Sequence, residues 1–446
     1  MKNKNKSLNV LCVNPWIHDF AAYDFWSKPL GFLWIVSILK LHGISVSYID
    51  CLDRFHPKID KHSIGKDDGR GPYLKTKILT PKPLNYINRN YSRYGINPEW
   101  FKSDLLNLSH KPDLIFVTSI MTYWYTGVQE TIGAIREVYP NTSIILGGIY
   151  ASLCYEHALK YSGADIVISG PGEKKVLELV EKYTGFVKSF DFDPDNLDTY
   201  PYPAFELQNK ITYIPILTSK GCPFSCSYCA SNYLSPNLMV RSPDSVISEI
   251  KHWNLKYGVK NFALYDDAFL INSKNHAIPI LEKIIAENLD ICFHTPNALH
   301  AREISKLNAS LMFKANFKTI RIGVETLDFN NRGDHKLKED EFKNALFFLK
   351  EAGFTKEQVG AYLLVGLPDQ DLESIENSIL NVKALGINPI LAYYTPIPHT
   401  AMWTKAIESS RYDLVSDPIF SNNSIFPCWK SSFDWIKVSN FKNIIR

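Results

Sequence analysis

The sequence predicts an α/β chain in two parts, an open parallel sheet followed by an incomplete (β/α) barrel. Three observations support this: short β-branched runs alternate with helical patterns twice, a linker-like segment separates the two series, and 446 residues suit two or three domains. Hydrophobic residues make up 45% and charged residues 21%, which excludes disorder as the dominant state.

The first series occupies residues 1–190. Its strand patterns are NVLCVN, ISVSYI, DLIFVTS, SIILGG and DIVISG, and helical patterns separate them at 29–41, 126–138, near 153–161 and from 173. Strand, helix and strand in this order predict parallel crossovers. Residues 53–112 interrupt the rhythm; we interpret them as a long functional insertion, with a flexible loop as the alternative. Residues 191–204, rich in Asp and Pro, are the predicted linker.

The second series occupies residues 205–400 and has six strand patterns: ITYIPILTS, NFALYDD, ICFHTPN, TIRIGVET, VGAYLLVG and ILAYYTP. Helical patterns follow the first five at 243–257, 277–288, 301–313, 339–352 and 372–385. This count predicts a partial (β/α)6 barrel of the TIM type, in which the chemistry lies at the carboxyl ends of the strands. Residues 401–446 show no clear period and are interpreted as a short cap or tail.

Charge and hydropathy narrow the location and the partners. Lys and Arg number 49 and Asp and Glu 46, a net charge of +3, so nucleic acid is an unlikely main partner. The alternative is a non-catalytic protein that binds nucleic acid through basic residues of the insertion, namely Lys58, Lys61, Lys66 and Arg70. No apolar run is long enough to span a membrane and no secretory signal is evident, so we expect a cytoplasmic protein.

Three of the eight cysteines lie close together. Cys222, Cys226 and Cys229 form the spacing Cys-x3-Cys-x2-Cys in GCPFSCSYCA, after the first barrel strand. A structural zinc site usually takes two Cys-x2-Cys pairs, and the sequence has no second pair. A [4Fe-4S] cluster held by three thiolates leaves one iron open to an added ligand, which points to catalysis. A zinc site completed by Cys292 or Cys428, or an incidental group of thiols, are the alternatives.

This motif, with the aromatic Tyr228 before its last cysteine, resembles the signature of the radical S-adenosylmethionine (radical SAM) superfamily, and the resemblance covers residues 205–400. It implies that S-adenosylmethionine chelates the open iron. It also implies reductive cleavage of this cofactor to a 5′-deoxyadenosyl radical, with electrons from an external donor such as flavodoxin or ferredoxin.

The resemblance also implies contacts to S-adenosylmethionine from strands two to five. The family's Gly-Gly-Glu after strand two is absent, and YDDAF stands in its place, so Asp266 or Asp267 would receive the methionine ammonium group. The alternatives are that either Asp caps the next helix and that Arg321 pairs with Glu325. The predicted contacts are Tyr228, Tyr265, Asp266, Asp267, Asn297, Arg321, Glu325 and Tyr362.

The first series resembles the cobalamin-binding domain that precedes the barrel in many radical SAM enzymes, which implies a flavodoxin-like, Rossmann-type fold. The matching stretches are DLIFVTSIMTYWY, SIILGGIYAS and IVISGPGE. Glycines at strand ends let a flat ligand approach the backbone. The predicted contacts to cobalamin are Thr118, Ser119, Gly147, Gly148, Tyr150 and Gly170. The alternative is a domain of this fold that binds nothing.

One element of that family is missing. The Asp-x-His-x-x-Gly motif, which supplies a lower axial histidine in some cobalamin domains, is absent from NPWIHDFAAYDFWSKPLG. A bound corrinoid should therefore lack a histidine ligand from this motif, and we interpret His18 as a polar loop residue. Residues 121–125 would either wall the lower corrin face or form interdomain core.

The hypothesis from the sequence is a cobalamin-dependent radical SAM enzyme that methylates an unactivated carbon of a small-molecule or peptide substrate. Two alternatives remain open. One is a radical SAM enzyme that catalyses a non-methylating rearrangement, cyclisation or oxidation. The other is a radical SAM enzyme whose empty N-terminal domain serves for docking.

Overall fold

The computed structural model describes residues 8–60, 65–184, 192–329, 332, 336–429 and 435–445. The chain divides into two compact units, 1–211 with 417–419 and 212–416 with 420–446. The domain boundaries expected from the sequence stay predictions.

The first unit contains a five-stranded parallel sheet of order β3-β1-β6-β7-β8. In chain order its strands are β1 (Asn9–Asn14), β2 (Ile17–Asp19), β3 (Ser45–Asp50), β4 (Lys75–Lys77), β5 (Ser92–Tyr94), β6 (Leu114–Val117), β7 (Ser143–Leu146) and β8 (Ile166–Val167). Its helices are α1 (Leu30–Leu41), α2 (Pro98–Leu106), α3 (Tyr125–Val138), α4 (Ile149–Leu153), α5 (Tyr155–Tyr161) and α6 (Gly172–Thr184). This strand order confirms the predicted flavodoxin-like arrangement.

The sheet is buried because its strands are almost wholly apolar. Val10 and Cys12 of β1 pack with Phe32 and Val36 of α1 and with Val176 of α6. The helix predicted near 153–161 is two helices, which meet at Cys154 in a non-helical conformation (φ −128°, ψ 50°).

The predicted insertion carries regular structure. Its strands β4 and β5 form a three-stranded antiparallel sheet with β2, in the order β2-β5-β4. Arg54 lies 3.1 Å from the carboxylate of Asp24, and both side chains are almost fully buried. A buried ion pair of this kind holds the chain in one arrangement, which argues against a flexible loop over the described part of the insertion.

The second unit contains a parallel sheet of six strands in chain order, β9-β12-β13-β15-β16-β17, and β14 also pairs with β15. Its strands are β9 (Ile214–Ile216), β10 (Ser219–Lys220), β11 (Met239–Val240), β12 (Asn261–Leu264), β13 (Cys292–His294), β14 (Leu299–His300), β15 (Phe317–Glu325), β16 (Val359–Val365) and β17 (Asn388–Tyr393). The six predicted barrel strands are all present. The short strands β11 and β14 were not predicted.

The described helices of the second unit are α7 (Ser231–Leu234), α8 (Pro243–Lys251), α9 (Ala277–Glu287), α10 (Lys306–Lys314), α11 (Glu339–Ala352), α12 (Leu372–Ala384), α13 (Trp403–Ser409) and α14 (Trp435–Ile445). Side chains of Ser242, Ser305 and Asp371 cap the first turns of α8, α10 and α12. A left-handed Gly353 (φ +107°) ends α11. These local signals bound α8, α10, α11 and α12, which alternate with the barrel strands as a (β/α) barrel requires.

The segment after residue 400 is packed rather than extended. Cys428 lies in an apolar cluster with Tyr394, Ala406 and Leu414, and Tyr228 packs against this cluster. The tail therefore supports the loop that carries the three clustered cysteines.

Candidate functional site

The cysteine loop, residues 221–230, follows β10 at the carboxyl end of the first barrel strand. Gly221 has φ +93°, and a Cβ there would lie 2.7 Å from the carbonyl oxygen of Asn237, so the loop needs glycine at its entry. The Ser227 carbonyl accepts a hydrogen bond from the Met402 amide at 2.8 Å. Cys222 and Cys226 are partly buried and Cys229 is exposed.

The three thiols of the loop lie close enough to influence one another electrostatically. Burial raises the pKa of Cys222, and proximity to Cys226 and Cys229 raises it further. Among the described residues, no group of three His, Cys, Asp or Glu side chains is close enough to hold one metal ion. A zinc ion would bind all its thiolates itself, whereas a [4Fe-4S] cube binds each thiolate at a different iron.

The two cysteines considered as a fourth ligand lie elsewhere. Cys292 begins β13, and its thiol donates to the side-chain oxygen of Asn261 at 3.1 Å, where β12 begins. This is the amino end of the barrel strands, opposite the cysteine loop. Cys428 is 3% exposed and its thiol faces the Ala406 carbonyl. The three-cysteine set fits a cluster with one open iron.

Tyr228 joins the cysteine loop to the fourth barrel strand. Its hydroxyl donates to Glu325 at 2.9 Å, and the Lys336 ammonium donates to the same Glu325 oxygen at 2.8 Å and to the Tyr228 hydroxyl at 3.2 Å. Burial, and then the Glu325 carboxylate, raise the pKa of Tyr228, so its hydroxyl stays protonated. Glu325 has the left-handed value φ +63°, which few residues other than glycine adopt.

The two carboxylates after the second barrel strand differ in their surroundings. Asp266 is 3% exposed and accepts hydrogen bonds from the backbone amides and the hydroxyls of Thr218 and Ser219. Asp267 is only partly buried and lies beside Cys222 and Ser231. Burial, and then Asp266, raise the pKa of Asp267. Neither residue caps α9, whose N-cap is His276.

The other predicted barrel contacts divide into two groups. Asn297 donates to the Tyr265 carbonyl at 2.7 Å, and the Tyr362 hydroxyl donates to the Pro296 carbonyl at 2.9 Å, so these residues meet at the carboxyl ends of the strands. Arg321 instead donates to the carbonyls of Ile320 and Gln358, near the start of β16. The ion-pair partners of Glu325 are Arg332 and Lys336, and the pairing with Arg321 considered above is not found.

Sequence reasoning missed several residues beside the cysteine loop. The His300 ring packs on Phe224 of the loop, with ring centroids 4.5 Å apart, and Arg302 lies over the same Phe224 ring. Burial, and then the neighbouring cations Lys336 and Arg302, lower the pKa of His300 to about 4. The only signal for these residues was their position after a strand end, because His300 lies in the unpredicted strand β14 and Arg302 in the short turn that follows it.

In the first unit, the predicted glycines form an open strand-end edge. A Cβ added to Gly147 or Gly170 would meet nothing within 4 Å, whereas one on Gly148 (φ +97°) would meet the Ser119 backbone. The Ser119 hydroxyl donates to the Gly147 carbonyl at 2.7 Å. Thr118 follows β6 and is 7% exposed. This edge leaves room for a flat ligand over the backbone, which fits cobalamin.

Tyr150 and His18 of the first unit have surroundings that differ from those expected from the sequence. Tyr150 is fully buried, and its hydroxyl bonds the His157 ring at 2.7 Å, so it supports the edge from below. His18 lies in strand β2 rather than in a loop, and it pairs with Glu130 at 2.6 Å. Within 121–125, Trp124 donates to Asp19 at 2.7 Å.

The basic residues of the insertion that were considered for nucleic-acid binding differ in their surroundings. Arg70 pairs with Asp68 and lies over the Trp26 ring, while Lys58 and Lys66 are surface residues; Lys61 lies outside the described residues. In the described chain, no helix combines the length and the apolarity needed to cross a bilayer. The ion pair and the ring contact of Arg70 give no support to the nucleic-acid alternative.

Comparison with known proteins identifies both units. Residues 216–381 match the model of the radical SAM superfamily, and residues 96–180 match that of the B12 binding domain. An uncharacterized methyltransferase of Pyrococcus horikoshii is 26% identical over 352 residues, which cover 71% of this chain and 74% of that protein. An anaerobic magnesium-protoporphyrin IX monomethyl ester cyclase of Cereibacter sphaeroides is 27% identical over 356 residues, 69% of this chain and 56% of that protein.

A solved structure shows the same fold. The radical S-adenosylmethionine methyltransferase TsrM from Kitasatospora setae, with cobalamin and a [4Fe-4S] cluster bound, aligns with a TM-score of 0.65 at 16% identity, over 90% of this chain and 78% of that one. The two matched domains also confirm the predicted cofactor set of a [4Fe-4S] cluster, S-adenosylmethionine and cobalamin. The chain belongs to the radical S-adenosylmethionine enzymes that carry an N-terminal cobalamin-binding domain.

Proposed function

We propose that this chain is a cobalamin-dependent radical SAM methyltransferase that methylates an unactivated carbon of a small organic substrate. The observation that carries the proposal is the presence, in one chain, of a three-thiol loop at the end of a barrel strand and a glycine-lined strand edge of a cobalamin-type sheet. When bound, the cluster and S-adenosylmethionine supply a carbon-centred radical, and cobalamin supplies the methyl group.

The barrel residues have separate tasks in this proposal. Cys222, Cys226 and Cys229 hold the cluster. Asp267 receives the methionine ammonium group, because it is the partly accessible carboxylate beside Cys222 and a cation there would offset the cost of its burial. Glu325 contributes a further polar contact at the end of β15.

Two more strand ends complete the nucleotide site. Asn297 and Tyr362, which donate to the Tyr265 and Pro296 carbonyls, shape the surface for ribose and adenine. Their hydrogen bonds to backbone carbonyls fix these side chains before a ligand binds, which lowers the entropy lost on binding.

In the first unit, Thr118, Ser119, Gly147 and Gly170 line the surface for cobalamin. Gly148 shapes the turn beneath it, since its positive φ and its contact with the Ser119 backbone leave no room for a side chain. No axial histidine comes from the segment after β1, because His18 is 6% exposed and bound to Glu130.

Electron supply and location complete the proposal. A one-electron donor such as flavodoxin or ferredoxin reduces the cluster, and the protein works in the cytoplasm. All eight cysteines are free thiols in the structure, which suits a reducing compartment.

The test is anaerobic reconstitution with iron, sulfide and hydroxocobalamin, followed by assays for bound corrinoid, 5′-deoxyadenosine and S-adenosylhomocysteine. We expect the purified chain to retain both iron and corrinoid and to form both products. Cys222→Ser should abolish 5′-deoxyadenosine, whereas Cys292→Ser, a cysteine outside the loop, should not. Formation of 5′-deoxyadenosine with no S-adenosylhomocysteine under turnover would contradict methyl transfer.

Corrinoid binding is tested by a variant and its matched control. Gly147→Ala should lower corrinoid retention with little loss of stability, because the added methyl group enters open space at the strand edge. Gly133→Ala, in α3, also meets no atom within 4 Å and should leave retention unchanged. Equal retention in both variants would contradict cobalamin binding at this edge.

A further inference from the structure

A buried polar network lies beneath the entry to the cysteine loop. Four donors from two consecutive residues converge on Asp266: the Thr218 and Ser219 amides at 3.1 and 2.6 Å, and their hydroxyls at 2.5 and 2.7 Å. Thr218 is fully buried, and the other two residues are 3% exposed. This carboxylate is therefore saturated by the chain segment that leads into Gly221 and Cys222.

The direction of the hydrogen bonds follows from the donors available. The Thr218 hydroxyl has one proton, which goes to Asp266, so it must accept from the His276 ring nitrogen Nε2 at 2.8 Å. His276, which is 4% exposed, is thus protonated at Nε2. The result is a chain of donors from α9 through Thr218 to Asp266, and each member orients the next.

The same segment is held from its other side. The Arg241 amide donates to the Thr218 carbonyl at 2.9 Å, and the Arg241 guanidinium donates to the Leu217 carbonyl at 3.1 Å. Two residues after Ser219 the loop makes its left-handed turn at Gly221. The backbone at 218–219 thus has a single position, and the direction in which Cys222 leaves the strand depends on it.

We propose that Asp266 is a positioning residue for the cysteine loop, with Thr218 and His276 completing its hydrogen-bond network, rather than a contact to S-adenosylmethionine. The two adjacent carboxylates then have different tasks: Asp266 orders the segment before Cys222, and Asp267 faces the ligand. The inference rests on the proposed function only for the identity of what the three thiols bind.

The test uses the apo-protein, so that it does not depend on turnover. Thr218→Val keeps the side-chain volume and removes the hydroxyl between His276 and Asp266. The matched control is Thr319→Val, because the Thr319 hydroxyl also bonds a buried histidine, His294, at 3.0 Å, but at the start of the barrel strands. Anaerobic alkylation with iodoacetamide, followed by mass spectrometry, gives the rate at each cysteine.

We expect Thr218→Val to raise the alkylation rate of Cys222 about tenfold, the factor that a free-energy change of about 1.4 kcal/mol produces. Thr319→Val should lower the thermal stability about as much as Thr218→Val does but leave the alkylation rate of Cys222 unchanged. Thr218→Ser, which keeps the hydroxyl, should show the wild-type rate. An unchanged Cys222 rate in Thr218→Val, or the same acceleration in Thr319→Val, would overturn the proposal.

Two further measurements apply if Thr218→Val does not fold or if the protein binds no iron. If Thr218→Val does not fold, His276→Phe removes the same donor from the Thr218 hydroxyl, and it should also accelerate Cys222; a wild-type rate in that variant would overturn the proposal. Iron retained after reconstitution should fall in Thr218→Val relative to Thr319→Val. Wild-type protein that binds no iron would refute the proposed function and leave the alkylation result standing.

Discussion

Replacing Tyr228 by Phe removes one hydroxyl and keeps the ring that packs against the tail. The hydroxyl donates to Glu325 and accepts from Lys336, and both charged side chains are only 12–13% exposed. A hydrogen bond to a charged group contributes about 1.5–3 kcal/mol, and the Glu325–Lys336 pair survives in the variant, so we take the lower value. The interaction between strand β15 and the cysteine loop should weaken by about 1.5 kcal/mol. This raises the population of molecules with a displaced loop roughly tenfold.

The assay is the rate at which the anaerobically reconstituted protein loses iron to a ferrous chelator. Tyr228→Phe should lose iron roughly tenfold faster than the wild type. The matched control is Tyr233→Phe, in α7 just after the loop, because Tyr233 is 46% exposed and is placed by ring stacking on His399 at 4.2 Å. Equal rates in both variants would refute the coupling of the loop to Glu325.

Three further predictions concern stability, each measured by chemical denaturation of the apo-protein. Gly148→Ala should cost about 2–4 kcal/mol, because φ is +97° and the new methyl group would meet a neighbouring carbonyl; a neutral result would contradict the turn described here. Arg54→Met removes the buried ion pair with Asp24 and should cost about 3–5 kcal/mol, against at most about 1 kcal/mol for the more exposed Arg70→Met. The pKa of His300 falls from 6.5 to about 4, so between these values the unfolded chain binds a proton that the folded chain does not. Stability should therefore fall as the pH drops through this window, by at most about 3 kcal/mol, and His300→Phe should remove this part of the pH dependence.

The fold was largely predictable because its signals are local. Each of the six barrel strands is a short apolar run, and helix starts such as Ser242 and Asp371 carry their own capping residues. The cysteine loop was equally easy to recognise, since its three cysteines fall within eight residues. Strand β14 escaped notice because it has two residues and forms only by pairing with β15.

The polar contacts of the site were not predictable, because they join residues far apart in the chain. Tyr228 and Glu325 are 97 residues apart, and Lys336 joins them from the segment after β15. Each residue type has many plausible partners in the sequence. Only the folded chain shows that Glu325 pairs with Lys336 and that Arg321 bonds backbone carbonyls instead.

The division between Asp266 and Asp267 follows from their different neighbours. Both residues lie in the loop just after β12, and Asp266 is bound by the segment that follows β9. Once the amides of Thr218 and Ser219 fix Asp266 against the first strand, Asp267 is directed to the side where Cys222 lies. Exchanging Asp267 for Asn should weaken ligand binding and leave the loop ordered. Exchanging Asp266 for Asn turns one of the two accepting oxygens into an NH2 donor, which then faces the Thr218 amide or the donors on the other oxygen, so this variant should disorder the loop itself.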